Sequence, residues 1–133
     1  MSRTLLLDTN ILSRLINDQN GRITKKVLDA GVDNVCTSII AAAELRYGAL
    51  KKKSVRLRRE VEEMLAEMQV LALEEPLDAE YAKLRLALET TGKMLAANDL
   101  LIASHANTID ATVVTADSAF EHAKKLVKVA VWR

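Results

Sequence analysis

Four acidic residues lie where a predicted strand passes into a helix, or on a helix that follows a strand. They are Asp8, Glu44, Asp99 and Asp117. Three of them interrupt apolar runs, where a carboxylate without a partner is costly. Because the carboxyl ends of strands in an open α/β sheet gather at one edge, where ligands bind, we expect the four side chains to converge there. Converging carboxylates repel one another unless a cation joins them, and oxygen ligands suit Mg2+ or Mn2+.

The apolar pattern predicts strands that alternate with helices along the chain. The predicted strands cover residues 4–7, 35–37, 69–73, 111–115 and 126–131, and helical periodicity occupies most of the sequence between them. This alternation is typical of a parallel sheet with helices on both of its faces. We therefore predict an α/β fold with a central five-stranded parallel sheet, and one domain over residues 1–133.

Composition narrows the possible functions. The chain has 133 residues, of which half are hydrophobic and 3% aromatic, and its net charge is +1. So few aromatic residues make base stacking an unlikely main device for binding nucleic acid, and local basic patches must supply any such binding. The one cysteine, Cys36, is expected to be a buried free thiol, which fits a reducing cytoplasm. The apolar run of residues 5–7 is too short for a signal-peptide core, and no segment is long enough to span a membrane.

Four motifs around these acids resemble those of one protein family. Asp8-Thr9-Asn10 after an apolar strand resembles the opening of a PIN domain. The segments at residues 43–48, 97–106 and 114–120 resemble the second, third and fourth motifs of the VapC toxins. No motif is strong alone, but the four occur in order and cover nearly the whole chain.

The resemblance implies a metal-dependent endoribonuclease that cuts RNA with metal-activated water. It implies the toxin of a type II toxin–antitoxin system, a homodimer that inhibits translation by cutting tRNA or other structured RNA. A VapB-type antitoxin would inhibit it and would alone contact operator DNA. Carried over by position, the catalytic acids are Asp8, Glu44, Asp99 and Asp117, with Mg2+ or Mn2+ held by Asp8, Asp99 and Asp117. The supporting polar positions are Thr9, Asn10 and Thr115.

Each acid also has a structural alternative. Asp8 after a strand is a common helix N-cap, and Asp99 and Asp117 would each be favoured near a helix N-terminus by the helix dipole. Glu44 has no such explanation, because it lies within an apolar helix face. For a single acid the structural and functional interpretations are about equally good, and only the set favours function.

Basic residues near Glu44 are candidates for RNA binding. Arg46 lies two residues after Glu44, and Lys51, Lys52 and Lys53 follow on the same helix or just after it. Such residues attract phosphates. The alternative for the wider basic stretch is a solvated helix face, since Arg56, Arg58 and Arg59 each have a glutamate four residues later. Arg46 could likewise pair with an acid.

Two departures from the family pattern concern the surroundings of the acids. Many relatives have Ile-Gly where this chain has Leu95-Ala96, and many have Thr where it has Ala41. The first change could alter the loop beside the site, and the second could remove a hydroxyl from its wall.

Three rival interpretations keep the fold class. A haloacid-dehalogenase-type phosphatase would need an aspartate where Asn10 stands. A receiver domain would need an acceptor aspartate after the third strand, where the chain has Glu74-Glu75. A binding module without catalysis would have no reason to keep four clustered acids.

Overall fold

The computed structural model describes residues 4–133 and contains one five-stranded sheet in which all strand pairs are parallel. The strand order is β3-β2-β1-β4-β5. The strands are β1 (Leu5–Leu7), β2 (Val35–Ser38), β3 (Gln69–Leu71), β4 (Thr112–Thr115) and β5 (Val129–Val131). The predicted α/β class is confirmed. Residues 1–3 of the predicted domain lie outside the described part of the chain.

Six α-helices connect or flank the strands. They are α1 (Thr9–Asn17), α2 (Arg22–Ala30), α3 (Ile39–Lys51), α4 (Val55–Ala66), α5 (Leu77–Thr91) and α6 (Ala97–Thr108). Short 3-10 helices occupy Val32–Asn34 and Ser118–Ala123. None of the helices in residues 4–133 is long and apolar enough to cross a membrane.

Local sequence explains where several helices begin and end. The hydroxyl of Ser38 accepts a hydrogen bond from the Ile40 backbone N–H at 3.1 Å, and so caps α3. At helix C-termini, Gly31 (φ 93°) follows α2 and Gly92 (φ 70°) follows α5. Both have a positive φ, which glycine adopts at little steric cost.

The chain order creates a switch point between β1 and β4. From β1 the chain moves outward to β2 and β3, then returns to the other side of β1 to form β4 and β5. Leu7 of β1 pairs with Thr37 of β2 and with Val114 of β4, so the three carboxyl ends are in register. A switch point of this kind leaves a crevice at the carboxyl edge of the sheet.

Four predicted strands were longer than the observed ones: residues 4–7 against β1, 69–73 against β3, 111–115 against β4 and 126–131 against β5. For β5 and β4 the hydrogen bonds show why. Strand β5 begins at Val129 rather than at residue 126, because the N–H groups of Leu126 and Val127 both bond to the Ala123 carbonyl in a turn. Strand β4 begins after Ala111, whose N–H bonds at 2.8 Å to Ala106 at the end of α6.

The core lies around the two central strands. Leu6, Leu7, Val113 and Val114 are fully buried. Cys36 is also buried and is a free thiol, as predicted, and burial raises its pKa to about 11. Residues 100–106 of α6, whose apolar sequence makes them a candidate for a dimer interface, are largely packed within the chain's own core.

Candidate active site

Asp8 stands at the carboxyl end of β1 and caps α1. Its Oδ1 accepts a hydrogen bond from the Ile11 backbone N–H at 3.0 Å, so the N-cap alternative is correct for this residue. The side chain is almost wholly buried, at 2% exposure. Burial raises its pKa above the ordinary value, and the nearby charge of Asp117 raises it further, while the Thr115 side chain and backbone N–H groups act in the opposite direction.

Asp99 lies in the first turn of α6, next to the other three acids. Its pKa is raised to about 6, first by burial and then by the negative charges of Asp8, Glu44 and Asp117. The repulsion means that the four carboxyl groups share one electrostatic environment. The structure therefore brings together the four acids that the sequence pointed to, although they come from four separate segments of the chain.

Glu44 projects from the second turn of α3 and is held by two donors. The hydroxyl of Thr9 donates to Oε1 at 2.6 Å, and the side-chain amide of Asn98 donates to Oε2 at 3.2 Å. Thr9 was a predicted supporting residue, but Asn98 was given no role from the sequence. The only signal for Asn98 was its amide side chain directly before Asp99, in an otherwise apolar motif.

Asp117 follows β4 and is solvent-exposed. Its Oδ1 accepts from the Ala119 backbone N–H at 2.9 Å, so it caps the 3-10 helix that begins at Ser118. The buried hydroxyl of Thr115 accepts from the Asp117 backbone N–H at 2.9 Å and so fixes the start of this turn. Asn10, the remaining supporting position, is exposed in the first turn of α1.

His105 connects the two helices that carry Glu44 and Asp99. Its Nδ1 lies 2.9 Å from the hydroxyl of Ser38, the residue that caps α3, while His105 itself belongs to α6. Burial lowers the pKa of His105, and the charge of Glu74 partly offsets this. The role of His105 is therefore structural, because a neutral buried imidazole joins the two helices.

The chemistry of the cluster suits a hard cation. All four side chains offer carboxylate oxygens, the ligands that Mg2+ and Mn2+ prefer. A cation would also relieve the repulsion that raises the pKa of Asp99. Among residues 4–133, no three His, Cys, Asp or Glu side chains are grouped closely enough to hold an ion as they stand. Several of these oxygens instead accept protein hydrogen bonds, as those of Asp8, Glu44 and Asp117 do.

Comparison with known proteins identifies the family. The family model of the PIN domain matches residues 5–126. The chain belongs to the PIN-domain family. The predicted PIN-type fold is therefore confirmed, and the resemblance to the VapC toxins is also supported by individual relatives.

Two curated relatives and one solved structure are representative. The chain is 36% identical to toxin FitB of Neisseria gonorrhoeae over 86% of its length and 88% of the relative. It is 35% identical to ribonuclease VapC2 of Rickettsia felis over 83% of its length and 84% of the relative. The structure of VapBC2 from Rickettsia felis, bound to a DNA fragment from its promoter, superposes with a TM-score of 0.88 at 29% identity, covering 98% of this chain and 99% of the other.

In this PIN domain, Arg46 is paired with an acid rather than free. Its Nε and a terminal nitrogen donate to both oxygens of Glu62 on α4, at 2.8 and 2.9 Å. The predicted pairing of Arg58 with Glu62 is therefore wrong, because Glu62 turns toward α3 instead of along its own helix. The two other predicted pairs are present, Arg56 with Glu60 at 3.2 Å and Arg59 with Glu63 at 3.9 Å.

The departures from the family pattern have different surroundings in this PIN domain. Ala41 is fully buried in the core, where an apolar side chain is the favourable choice. Leu95 is also buried, whereas Ala96 is exposed at the N-cap of α6 and has no side-chain oxygen to bond the first N–H groups. The carboxylate of Asp99 in the first turn is the acidic group that favours this helix end.

Proposed function

We propose that this protein is a Mg2+- or Mn2+-dependent endoribonuclease. The observation that carries the proposal is the shared electrostatic environment of Asp8, Glu44, Asp99 and Asp117 at the switch point of the sheet. Four carboxylates in one crevice destabilise the fold, because their negative charges repel one another. A cation-dependent reaction on a phosphate explains why they would nevertheless be present. Membership of the PIN-domain family, and similarity to relatives that are ribonucleases, support RNA as the substrate.

The acids have separate roles in this proposal. Asp8, Asp99 and Asp117 would hold the ion, which when bound would supply an activated water and a counter-charge for the phosphate. Glu44 is the acid whose orientation is most restricted, because Thr9 and Asn98 donate to both of its oxygens. We assign to Glu44 the orientation of the attacking water and the acceptance of its proton. Thr115 fixes the turn that presents Asp117.

We further propose that the protein is the toxin of a type II toxin–antitoxin system. FitB is named a toxin, and the Rickettsia felis structure is a VapBC2 complex on promoter DNA. By analogy, a VapB-type antitoxin would inhibit this chain and would alone contact operator DNA. The substrate would be tRNA or other structured RNA in the cytoplasm, and its cleavage would inhibit translation. A homodimer is the proposed assembly, and the exposed Leu86 on α5 (65%) supports that helix as its interface.

RNA must reach the acids through basic residues around them. We propose Lys51, Lys52 and Lys53 as phosphate contacts, because all three are exposed at the end of the helix that carries Glu44. Arg46 could join them only by leaving Glu62. The test compares RNA binding by the wild type and by a triple Lys→Ala variant at several salt concentrations. The slope of log binding constant against log salt concentration should be smaller in the variant by about 0.7 for each lost phosphate contact.

Cleavage of RNA by the purified protein tests the proposed activity. We expect cutting with Mg2+ or Mn2+ and none with EDTA, because the carboxylates cannot stabilise a phosphate transition state without a cation. Products would be followed on a denaturing gel with a bulk tRNA substrate and an unstructured RNA beside it. Cutting that continues unchanged in EDTA would contradict the proposal.

A further inference from the structure

A small cavity adjoins the acidic cluster on the side of α1 and α4. It measures about 110 Å³ and lies between α1, α3 and α4. Thr9 and Glu44 both line it, and their 2.6 Å hydrogen bond forms part of its wall. A group in the cavity would therefore lie beside Glu44, one of the four acids.

The lining of the cavity combines apolar and polar side chains. Leu45, Leu57 and Val61 give it apolar surface, whereas Ser13 and Asn17 of α1 add a hydroxyl and an amide. Within residues 4–133, neither of these two polar side chains makes a hydrogen bond to the protein. Pockets with apolar walls and a few free polar groups are typical of sites for a small, planar and partly polar ligand.

Gly48 is a position from which the cavity could be filled. Gly48 lies in the middle of α3, lines the cavity and has no positive φ. A Cβ built at this position would meet no atom within 4 Å, so neither backbone conformation nor helix packing requires glycine here. Glycine inside a helix is destabilising relative to alanine. A larger side chain at position 48 therefore has room beside Glu44.

We propose that this cavity binds one nucleobase of the RNA substrate, from the nucleotide next to the cleaved phosphodiester. The inference rests on the proposed ribonuclease function. Sequence-specific recognition of RNA commonly uses single bases that are turned out of the strand and bonded at their edges. At about 110 Å³ the cavity is smaller than an engineered apolar cavity of ~150 Å³ that accepts benzene, so it has room for one six-membered ring at most and none for two fused rings. The cavity is therefore a pyrimidine site.

Lys52 gives the site its charge complementarity. It lines the cavity together with Glu44, and the ion pairs found in residues 4–133 do not include it. An ammonium group has three donors and no acceptor, so it suits a carbonyl oxygen on the base edge or the adjoining phosphate. The donors and apolar walls together match a pyrimidine carbonyl face.

Filling the cavity from Gly48 tests the proposal. An RNA pool with a randomised window is cut by the wild type, Gly48→Ala and Gly48→Leu, and the products are sequenced. The wild type should prefer a pyrimidine at one position beside the cut, by about 10-fold. Gly48→Ala should weaken the preference and Gly48→Leu should abolish it. Both replacements are better helix formers than glycine, and melting curves confirm folding.

The control adds a leucine where no cavity exists. Ala66 is exposed on α4 outside the lining, so Ala66→Leu should keep the wild-type preference. A preference that survives Gly48→Leu, or a wild type that shows none, would overturn the proposal. The proposal would also be overturned if Gly48→Leu kept the base preference and lost only its binding of the protein inhibitor, because the cavity would then belong to the inhibitor site.

A binding measurement separates this inference from the proposed activity. Cytidine, uridine and adenosine 5′-monophosphates are titrated against the wild type and Gly48→Leu without RNA cleavage. The pyrimidine nucleotides should bind the wild type more tightly than adenosine monophosphate and lose that advantage in the variant. Pyrimidine binding in a protein that cuts no RNA would keep the site and remove the nuclease. Cleavage without any pyrimidine preference in either assay would keep the nuclease and remove the site.

Discussion

RNA cleavage should fall on the order of 10³-fold when Asp8 or Asp99 is replaced by asparagine. Asparagine keeps the size of the side chain but removes the negative charge that a divalent cation needs. At Asp8 it also keeps an N-cap oxygen for the Ile11 N–H, so α1 should remain formed. The loss should therefore be catalytic. Initial rates with Mn2+ measure it, and circular dichroism confirms that each variant is folded.

A matched control separates charge at the site from charge in general. Asp29 is an exposed aspartate on α2, outside the acidic cluster, and Asp29→Asn should cut RNA at the wild-type rate. If Asp99→Asn retained a rate within a few-fold of the wild type, Asp99 would have no place among the catalytic acids.

The stability of the metal-free protein should fall as pH rises from about 4 to about 6. The pKa of Asp99 is near 6 in the folded chain, against an ordinary value of 3.8. Between these values the folded state holds a proton that the unfolded state has released, so raising the pH favours unfolding. Such a shift corresponds to at most about 3 kcal/mol, and the deficit persists above pH 6. Below pH 3.8 the residue is neutral in both states and the deficit disappears.

Urea unfolding between pH 4.5 and 7.5 measures this effect. The difference in unfolding free energy between the wild type and Asp99→Asn isolates the contribution of Asp99, because the contributions of the other titrating groups to the pH dependence largely cancel. The variant should be the more stable protein at pH 7 and should lose its advantage toward pH 4. A difference that stays constant across the range would show that Asp99 is not destabilised by its neighbours.

The carboxyl edge of the sheet could be predicted because its signals are local. A strand that runs directly into Asp8, and a second that ends just before Asp117, place two acids at one edge whatever the detailed packing. The topology then sets β1 beside β4, so these two acids become neighbours. Capping a helix did not exclude membership of the acidic cluster, because Asp8 and Asp117 each cap a helix and also belong to the cluster.

Contacts between distant segments could not be predicted in the same way. Glu62 has Arg58 four residues before it, yet it bonds Arg46, 16 residues away, because α3 packs against α4. Asn98 reaches Glu44 across 54 residues. Neither of these separations along the chain corresponds to a helical or strand period, so the sequence gives no sign of the contact. The cavity beside Gly48 is equally invisible there, since it depends on how three helices leave space between them.

Binding of Mn2+ to the RNA-free protein tests most directly whether the acids form one metal site. Because Asp99 has a pKa of about 6, an ion that binds it at pH 6 should release roughly half a proton. Calorimetric titrations in buffers of different ionisation enthalpy measure that release. We predict saturable binding to the wild type, proton release at pH 6 that vanishes near pH 8, and weaker binding without release in Asp99→Asn. Absence of saturable binding, or equal binding and release in Asp99→Asn, would contradict the metal site.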